Sequence, residues 1–539
     1  MKRSSCSEIG NPAIPAKTDV LIVGAGPTGL MLANQLARLG VRAVIVERNP
    51  GPSVRTKALG VQARTLEIYA HLGLADRAVE LGTRGTGGNI WVEGRRAARV
   101  PFSDAGRDMS PYPFILILGQ DDNERLLGAA LREHGVDVQW NTELVDMVQA
   151  NGHVSATLKR GDGSQLKITA NWIAGCDGAR SAVRNLSKID FVGAPYEHVF
   201  FVADTQVSGP MVPAEVNVYL WRGGFHLFFP MRGADHWRVV GIVPPELRGR
   251  DDLEFDAVLP HIRKEVGSLF SFHACSWFST YRIHHRRAAR FHDRRCFLLG
   301  DAAHIHSPVG AQGMNTGLQD AYNLAWKLAL VISGRARVGL LDSYETERVP
   351  VADRLLRTTD RAFALVVSDR WLAGVFRTRV LAKVVAFVMS RNRLQRLAFR
   401  TISQIGIRYP GSPLSQTLAG LPDDAPRAGA RFPWLRLKLS AAGPAEDLFT
   451  KLDDTRFNLV AFGQASPPAG PPEYGELMLT HQVPDDPVND RELSRARIPK
   501  PSFYLVRPDG YVGLAGARLD VAALTRYFVE RLALPMASR

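Results

Sequence analysis

Three separated groups of residues in this 539-residue chain have the types and spacing to hold a dinucleotide. The first is Gly24-Ala-Gly26-Pro27-Thr28-Gly29, with Glu47 and Arg48 about twenty residues on. Gly24 permits a tight turn, Gly26 has no Cβ to keep a pyrophosphate off the backbone, and Gly29 lets a helix pack closely on a sheet. The free N–H groups and positive dipole end of that helix attract the phosphates. A carboxylate at Glu47 can accept both hydroxyls of an adenosine ribose and would repel a 2′-phosphate. The tight nucleotide is therefore expected to be FAD- or NAD-like rather than NADP-like. The second group is Cys176-Asp177-Gly178. The third is Gly300-Asp301, followed by His306-Ser-Pro308-Val-Gly310-Ala-Gln-Gly313-Met314-Asn315-Thr-Gly317. A strand-end carboxylate such as Asp301 can accept a ribityl hydroxyl, and backbone N–H groups at a helix start can face an electron-rich ring edge. Arg55 and Arg64 are further candidates to reach phosphates or the ring edge.

The elements that must position these residues can be read around them. Residues 20–23 are apolar and β-branched, which suits a strand buried on both faces. Leu30, Leu32, Ala33, Leu36, Ala37 and Leu39 then recur at helical spacing up to Gly40, and 41–46 reads as a second buried strand. Helices are expected over 63–72 and 123–134, strands over 115–118 and 136–140, and a hairpin over 154–158 and 165–170 leading into Asp177. Residues 89–102 alternate around Glu93-Gly94 as a β-hairpin. From 191 to 277 the helical pattern nearly disappears; 216–219, 225–230 and 237–243 read as antiparallel strands. The run Gly-Gly-Phe-His-Leu-Phe-Phe-Pro-Met at 223–231 can wall a pocket for a flat apolar ligand, with Trp221, His226, Phe228 and Met231 as candidate lining residues. A buried strand at 295–299 precedes Gly300, and a long helix is expected over 318–333. Residues 355–408 are helical, and 371–408 hold no acid while Arg377, Arg379, Lys383, Arg391, Arg393, Arg396 and Arg400 recur among apolar residues. That pattern suits helices packed on the other domains or a membrane-surface helix. After a Pro/Gly-rich stretch at 410–433, strands at 457–462, 476–482 and 503–506, a turn at 507–510 and a closing helix at 522–532 make a small α/β appendage.

Composition bounds the reading. The chain is long enough for about three domains. It is 45% hydrophobic and 22% charged, ordinary for a globular protein. Its net charge of +14 comes without helix-turn-helix, zinc-finger or RNA-binding signatures, so nucleic acid is not expected as a partner. No stretch is long and apolar enough to span a membrane, and residues 1–17 lack the apolar core of a signal peptide, so a cytoplasmic location is expected. Cys6, Cys176, Cys275 and Cys296 are scattered without CxxC or zinc spacing, which predicts reduced thiols and no metal. Gly82–Gly88 is glycine-rich but follows no strand, so a second nucleotide fingerprint is not expected there.

Taken together, Gly24–Gly29, Cys176-Asp177-Gly178 and Gly300-Asp301 resemble the signature of the single-component (group A) flavoprotein monooxygenases of the para-hydroxybenzoate hydroxylase-like family, over about 18–348. The tail, with Ile407-Arg-Tyr-Pro-Gly-Ser-Pro-Leu and the Arg-Pro-Asp-Gly-Tyr turn at 507–511, resembles the thioredoxin-like appendage of the phenol and polyketide hydroxylase branch. The resemblance implies an α/β chain. A Rossmann-type FAD-binding domain would span 18–82, 116–190 and 278–354, with an inserted antiparallel β-sheet substrate domain at 83–115 and 191–277. A leader at 1–17, a helical connector at 355–425 and a thioredoxin-like α/β domain at 426–539 would complete it. It also implies roles. Gly24, Gly26, Pro27, Thr28 and Gly29 would hold the FAD pyrophosphate, and Glu47 with Arg48 the adenosine ribose end. Arg64 and Gln120 would contact FAD, Asp177 would serve FAD and nicotinamide handling, and Gly300 and Asp301 the ribitol. Pro308 would lie beside the isoalloxazine and the substrate, and Gly313, Met314 and Asn315 would offer backbone donors to the pyrimidine ring.

The activity implied is FAD-dependent hydroxylation of a phenolic or polyketide-like aromatic substrate with NADPH or NADH and O2, through a flavin C4a-hydroperoxide. The cofactor carries the hard step and no catalytic side chain is assigned. Baeyer–Villiger or epoxidising oxygenation on the same fold, and an FAD-containing basic surface-binding protein, remain as alternatives. A homodimer is compatible with the sequence.

Overall fold

The apolar run at 20–23 lies inside a seven-stranded sheet, one strand from its edge. Its strand, Lys17–Val23, pairs in parallel with Ala43–Val46 on one side and Gln165–Gly175 on the other, and Cys296–Leu298 adds a further parallel strand. Val20, Leu21 and Ile22 are fully buried, as strands covered on both faces must be. This computed structural model describes residues 14–54, 58–250, 252–306, 311–367, 371–440, 443–465 and 471–534. Arg55, Pro308 and Gly310 lie outside those residues, as does Cys6. Helix Pro27–Arg38, opened by a proline whose missing N–H is no loss in the first turn, connects the first two strands. Val23 is level with Val46 and Gly175, and Gly175 with Leu298. The residues that follow these ends, Gly24, Glu47, Cys176-Asp177 and Leu299-Gly300, therefore emerge along one carboxyl edge of the sheet, where open α/β sheets bind ligands. His153–Arg160 and Thr142–Ala150 extend the sheet as antiparallel strands. Residues 136–140 form only an isolated bridge, Val46 to Gln139, and not a strand.

The second sheet has eight strands. His304–Ile305 pairs with Ser271–Ala288, followed in order by Phe191–Ser208, His236–Ile242, Gly224–Pro230, Val216–Trp221, Gly87–Val92 and Arg95–Pro101. It is antiparallel except where Val216–Trp221 runs parallel to Gly87–Val92. Glu93 and Gly94, both at positive φ, close the expected hairpin. Residues 83–88 contribute to strands Thr83–Gly85 and Gly87–Val92. One helix, Phe255–Val266, interrupts the stretch expected to be free of helix. It buries Phe255, Val258, Ile262 and Val266, a spacing of three and four that Pro260 obscured.

Helix Gly313–Ile332 begins five residues earlier than expected, so 313–317 are already helical. Asp342–Val367, Trp371–Val375, Ala382–Met389 and Asn392–Ile402 follow. A third sheet orders Gln416–Thr417, Val512–Gly516, Ser502–Val506, Phe457–Phe462 and Met478–Val483, with helices Pro487–Ala496 and Val521–Arg526 beside it. This tail is fixed to the first unit by charge. Glu347, fully buried on the Asp342 helix, accepts from Arg507 (2.6 and 3.0 Å), Lys327 (2.8 Å), Asn323 (2.7 Å) and Ser412 (2.6 Å). Burial works against that carboxylate, but Arg507 and Lys327 hold it well below its usual range, while burial pulls the Lys327 ammonium down to about 8. No helix among the described residues is long and apolar enough to cross a membrane.

Candidate active site

Gly24 sits at φ +104°, and a Cβ there would collide with the Cys176 carbonyl, so only glycine fits. A Cβ on Gly29 would likewise drive into the Gly24 carbonyl. Gly26 differs. Its backbone is ordinary (φ −71°, ψ 179°), and a Cβ would meet nothing within 4 Å. The space above it is open, and it opens at the start of a helix with no side-chain cap. Beside it Glu47 accepts the Ala25 N–H (2.9 Å) through Oε2 and the Asn49 N–H (3.0 Å) through Oε1. Its carboxylate thus stands at the mouth of the glycine turn, while Arg48 is exposed next to it.

The first and third groups meet at Thr28. A Cβ on Gly300 would lie 2.7 Å from Thr28 Oγ1, and one on Gly317 would collide with the same oxygen, so the threonine is wedged against both glycines. Asp301, next in the chain, is exposed. Behind this turn the Gly300 N–H donates to Asp320 Oδ2 (3.0 Å), which also pairs with His304 Nε2 (2.8 Å). Arg348 Nε donates to the other Asp320 oxygen (2.6 Å). Burial alone would raise the Asp320 carboxyl, but Arg348 and His304 outweigh it and hold it below the usual range. Asp320 and Arg348 were not anticipated. The available signal was an acid inside a helix that is apolar on most sides, which requires a buried cation.

The second group borders the same edge. Asp177 Oδ2 accepts the Ala182 N–H (2.6 Å) and the Val183 N–H (3.2 Å), whereas its buried Oδ1 has no hydrogen-bond partner among the described residues. Burial raises the carboxyl's pKa, while the Ser181 side chain and the Ala182 and Val183 N–H groups work against that rise.

Other expected contacts are distributed differently. The Arg64 guanidinium donates to Glu67 Oε2 (3.1 Å) and to the Asp509 carbonyl (2.5 Å), and it stands over the Tyr511 ring. It is thereby tied to Glu67 through Nη1 and to the C-terminal unit through Nη2, while its buried Nε has no hydrogen-bond partner among the described residues. Gln120 opens helix Gln120–Glu133 and donates to Glu124 (2.8 Å). Helix Gly313–Ile332 begins without a side-chain cap, with Gly313 against His306. The Asn315 side chain is spent within the protein: it accepts from the Gln62 N–H (2.8 Å) and Thr65 Oγ1 (2.7 Å) and donates to the Gly60 and Ala311 carbonyls (both 2.8 Å). Met314 Sδ accepts from Asn123 (3.5 Å).

Of the residues expected to line a substrate pocket, His226 and Phe228 are buried and Trp221 and Met231 half-buried. Phe228 is fully buried in one cluster with Phe255, Val258 and Ile262 of the Phe255 helix, which closes that face of the second sheet. His226 is in phase with Phe228. It is buried between Trp221 (centroids 5.9 Å) and Phe201 (6.0 Å), with neither ring nitrogen hydrogen-bonded among the described residues, and burial pulls its pKa down to about 3. Trp221 and Met231 flank strand Gly224–Pro230 at opposite ends, about 20 Å apart at ~3.3 Å per residue, and cannot line one small pocket. The opposite face carries Phe225, Leu227 and Phe229. It also carries Tyr281, in register with Phe200, and Arg287 in phase with Tyr281 pairs with Asp353 of the Asp342 helix (2.7 Å). That face therefore looks toward the nucleotide unit. It also holds a buried bidentate pair, Arg238 to Asp204 (both 2.7 Å), with the guanidinium over Trp277 (5.1 Å).

Known proteins resemble this chain in sequence and fold. Residues 17–359 match the family model described as an FAD binding domain. The chain is similar to a 6-methylpretetramide 4-monooxygenase of Streptomyces rimosus, at 33% identity over 94% of this chain and 92% of that protein. Among solved structures it is similar to an aklavinone-11 hydroxylase in ternary complex with FAD and aklavinone (27% identity, TM-score 0.78, 96% of this chain and 99% of that one). It is also similar to an anhydrotetracycline hydroxylase from Streptomyces rimosus (29% identity, TM-score 0.74, 96% and 100%). With the model matched over most of the chain and a relative matched from end to end, the chain belongs to the FAD-binding-domain family of flavin-dependent monooxygenases.

Proposed function

We propose that this enzyme hydroxylates a fused-ring, polyketide-like aromatic substrate with NAD(P)H and O2. The observation that carries the reading is the meeting of the two glycine turns at Thr28, with the Glu47 carboxylate at one side and the Asp177 carboxyl at the other. The residues present fit FAD. Open space over Gly26 and the uncapped Pro27 helix suit a pyrophosphate, Glu47 a ribose diol, and exposed Asp301 a ribityl hydroxyl. The backbone N–H groups of Gly313, Met314 and Asn315 suit the carbonyl edge of the flavin ring. Bound FAD supplies the redox chemistry, taking a hydride from reduced nicotinamide and activating O2.

What the chain itself contributes is position, dryness and charge. Asp320 and Arg348 hold the Gly300 turn from behind and are positioning residues. Phe225, Leu227 and Phe229 offer an apolar face that keeps water from the reacting ring, and the Arg238–Asp204 pair offers directional polar groups to a substrate hydroxyl or carbonyl. The compounds in the related proteins' names, 6-methylpretetramide, anhydrotetracycline and aklavinone, favour a substrate of several fused rings. The finer architecture proposed is a Rossmann-type FAD domain, an inserted substrate sheet and a thioredoxin-like tail; the third sheet of mixed strands with flanking helices supports the last. The test is incubation of the FAD-loaded protein with candidate polycyclic phenols, NADH or NADPH, and 18O2. One labelled oxygen in the product, with reduced-nicotinamide consumption dependent on substrate, is expected. If no candidate accelerates that consumption, hydroxylation is refuted. A labelled ester or epoxide would establish one of the other two oxygenations instead.

A further inference from the structure

The helices between 371 and 402 have two unlike faces. Their inner face is fixed to the protein. Arg377 is fully buried and donates to the Trp221 (3.1 Å) and Arg222 (2.7 Å) carbonyls at the hairpin turn of the second sheet. Gly374 lies against that same Arg222 carbonyl, Leu381 packs into the cluster of Phe200, Leu220, Phe225 and Ile242, and Phe399 fills the space beside Gly106. Their outer face has nothing over it among the described residues. Trp371 and Leu372 are more than 70% exposed, Phe387 and Leu397 about 60%, and Val380, Val384 and Leu394 around 40%. Val380, Val384 and Phe387 recur at helical spacing, and Leu394 and Leu397, three residues apart, are exposed on the next helix.

Cations border this apolar row. Arg379, Lys383, Arg391, Arg393 and Arg396 are all exposed, and the Arg391 guanidinium stands over the Phe387 ring (5.0 Å). The segment 371–408 contains no acid, and the ion pair between Arg396 and Asp108 at 4.0 Å is loose. An apolar stripe flanked by long basic side chains is the pattern of a helix lying in a lipid headgroup layer, apolar side down, with arginine and lysine reaching up to the phosphates. The charge also argues against a second copy as occupant. Two such faces brought together would set Arg379, Lys383, Arg391 and Arg393 near their own counterparts with no acid on either side to offset them.

We propose that the outer face of residues 371–397 docks on an anionic lipid surface. The docked helix would sit directly over the turn and strands of the second sheet, so a polycyclic apolar compound dissolved in the bilayer boundary has a short route to that sheet. The face is peripheral and reversible: a few exposed apolar side chains and five cations give binding that depends on salt.

The FAD-loaded full chain is floated with vesicles of phosphatidylcholine alone, or with about a third phosphatidylglycerol, at low salt and at about 0.5 M salt. Two exposed-residue variants accompany it, Phe387→Ser with Leu397→Ser and Arg391→Ser with Arg393→Ser. Flavin content and melting temperature verify that both remain folded. Partition onto anionic vesicles at low salt is expected, lost at high salt and on neutral vesicles. The arginine variant should bind about 25-fold less, at about fivefold per cation, and the apolar variant should not float. No flotation of the parent, equal flotation on neutral vesicles, or variants that bind like the parent would overturn the proposal. So would a parent dimer that the apolar variant converts to monomer in the absence of lipid, since the face would then be a self-contact.

Discussion

Gly26 and Gly29 stand three residues apart in one turn, and alanine at each has opposite expected consequences. At Gly29 a Cβ would enter the Gly24 carbonyl and come within 3.2 Å of Cys176 Cβ. Backbone cannot swing aside as a side-chain tip can, so the Pro27 helix must lift from the sheet. Overpacking of this kind costs about 1–3 kcal/mol or more, and both stability and cofactor affinity fall. At Gly26 a Cβ has free space and an allowed φ of −71°. Alanine is the poorer residue at a helix N-cap by about 0.5–1 kcal/mol. It also stiffens the unfolded chain, which returns about 0.4–1 kcal/mol, so the apoprotein's stability should stay within about 1 kcal/mol of the parent. The bound cofactor is where the damage appears. If the pyrophosphate lies over Gly26, a methyl group there displaces it from the helix N–H groups, and one charge-assisted hydrogen bond is worth about 1.5–3 kcal/mol. FAD affinity should drop about ten- to a hundredfold.

The assay pairs thermal melting of the apoprotein with titration of FAD by quenching of its fluorescence. The expected pattern is Gly26→Ala with a normal melt and weak FAD, and Gly29→Ala with both impaired. A Gly26→Ala protein that holds FAD like the parent refutes the proposed path of the pyrophosphate. One that melts like Gly29→Ala refutes the reading of open space at that position.

Three further outcomes follow from the packing. Glu347→Ala leaves Lys327 buried without its anion and Arg507 with Asp509 alone, a loss of about 3–5 kcal/mol, read as a lower urea midpoint with the C-terminal unit loosened first in hydrogen exchange. His226, neutral in the fold because burial pulls its pKa down to about 3, takes up a proton on unfolding below its ordinary value near 6.5. Its contribution to stability is therefore present above that value and is lost as pH falls toward 3. The parent should lose up to about 1.4 kcal/mol per pH unit more than His226→Phe between pH 6 and 4, by denaturant titration; parallel pH profiles would show that the imidazole is hydrated in the fold. Phe228→Ala should cost about 3–5 kcal/mol in stability with KM for the aromatic substrate unchanged, whereas Leu227→Ala should alter KM at small cost in stability. The reverse result would return the substrate to the face under the Phe255 helix.

The contrast between Phe228 and Leu227 also marks where the sequence stops being legible. The strand–turn–helix at 17–38 could be read because its signals are local: a β-branched run, glycines at a fixed spacing and a helical period within one window. The hairpins at 87–101 and 216–242 could be read for the same reason. Strand alternation divides 224–230 into two faces, but which of them looks toward the nucleotide unit depends on partners far away in sequence. Those partners are the Phe255 helix on one side and the Arg287–Asp353 pair on the other. Arg64 has distant partners of the same kind. Its helix is plain from 63–72, yet the group it serves is the Asp509 carbonyl, 445 residues on. Asp320 and Arg348 are the intermediate case, since their burial together is a physical necessity once either is known to be inside. Arg348 is buried, and Asp320 Oδ1 at 2.6 Å is its anion. Its second oxygen is thereby free to hold the Gly300 N–H and His304, so the charge balance of the core and the shape of the glycine turn rest on one carboxylate. Asp320→Asn would keep the shape of the side chain while removing its charge, and any loss of FAD affinity beyond the loss of stability would measure how far the turn depends on that charge.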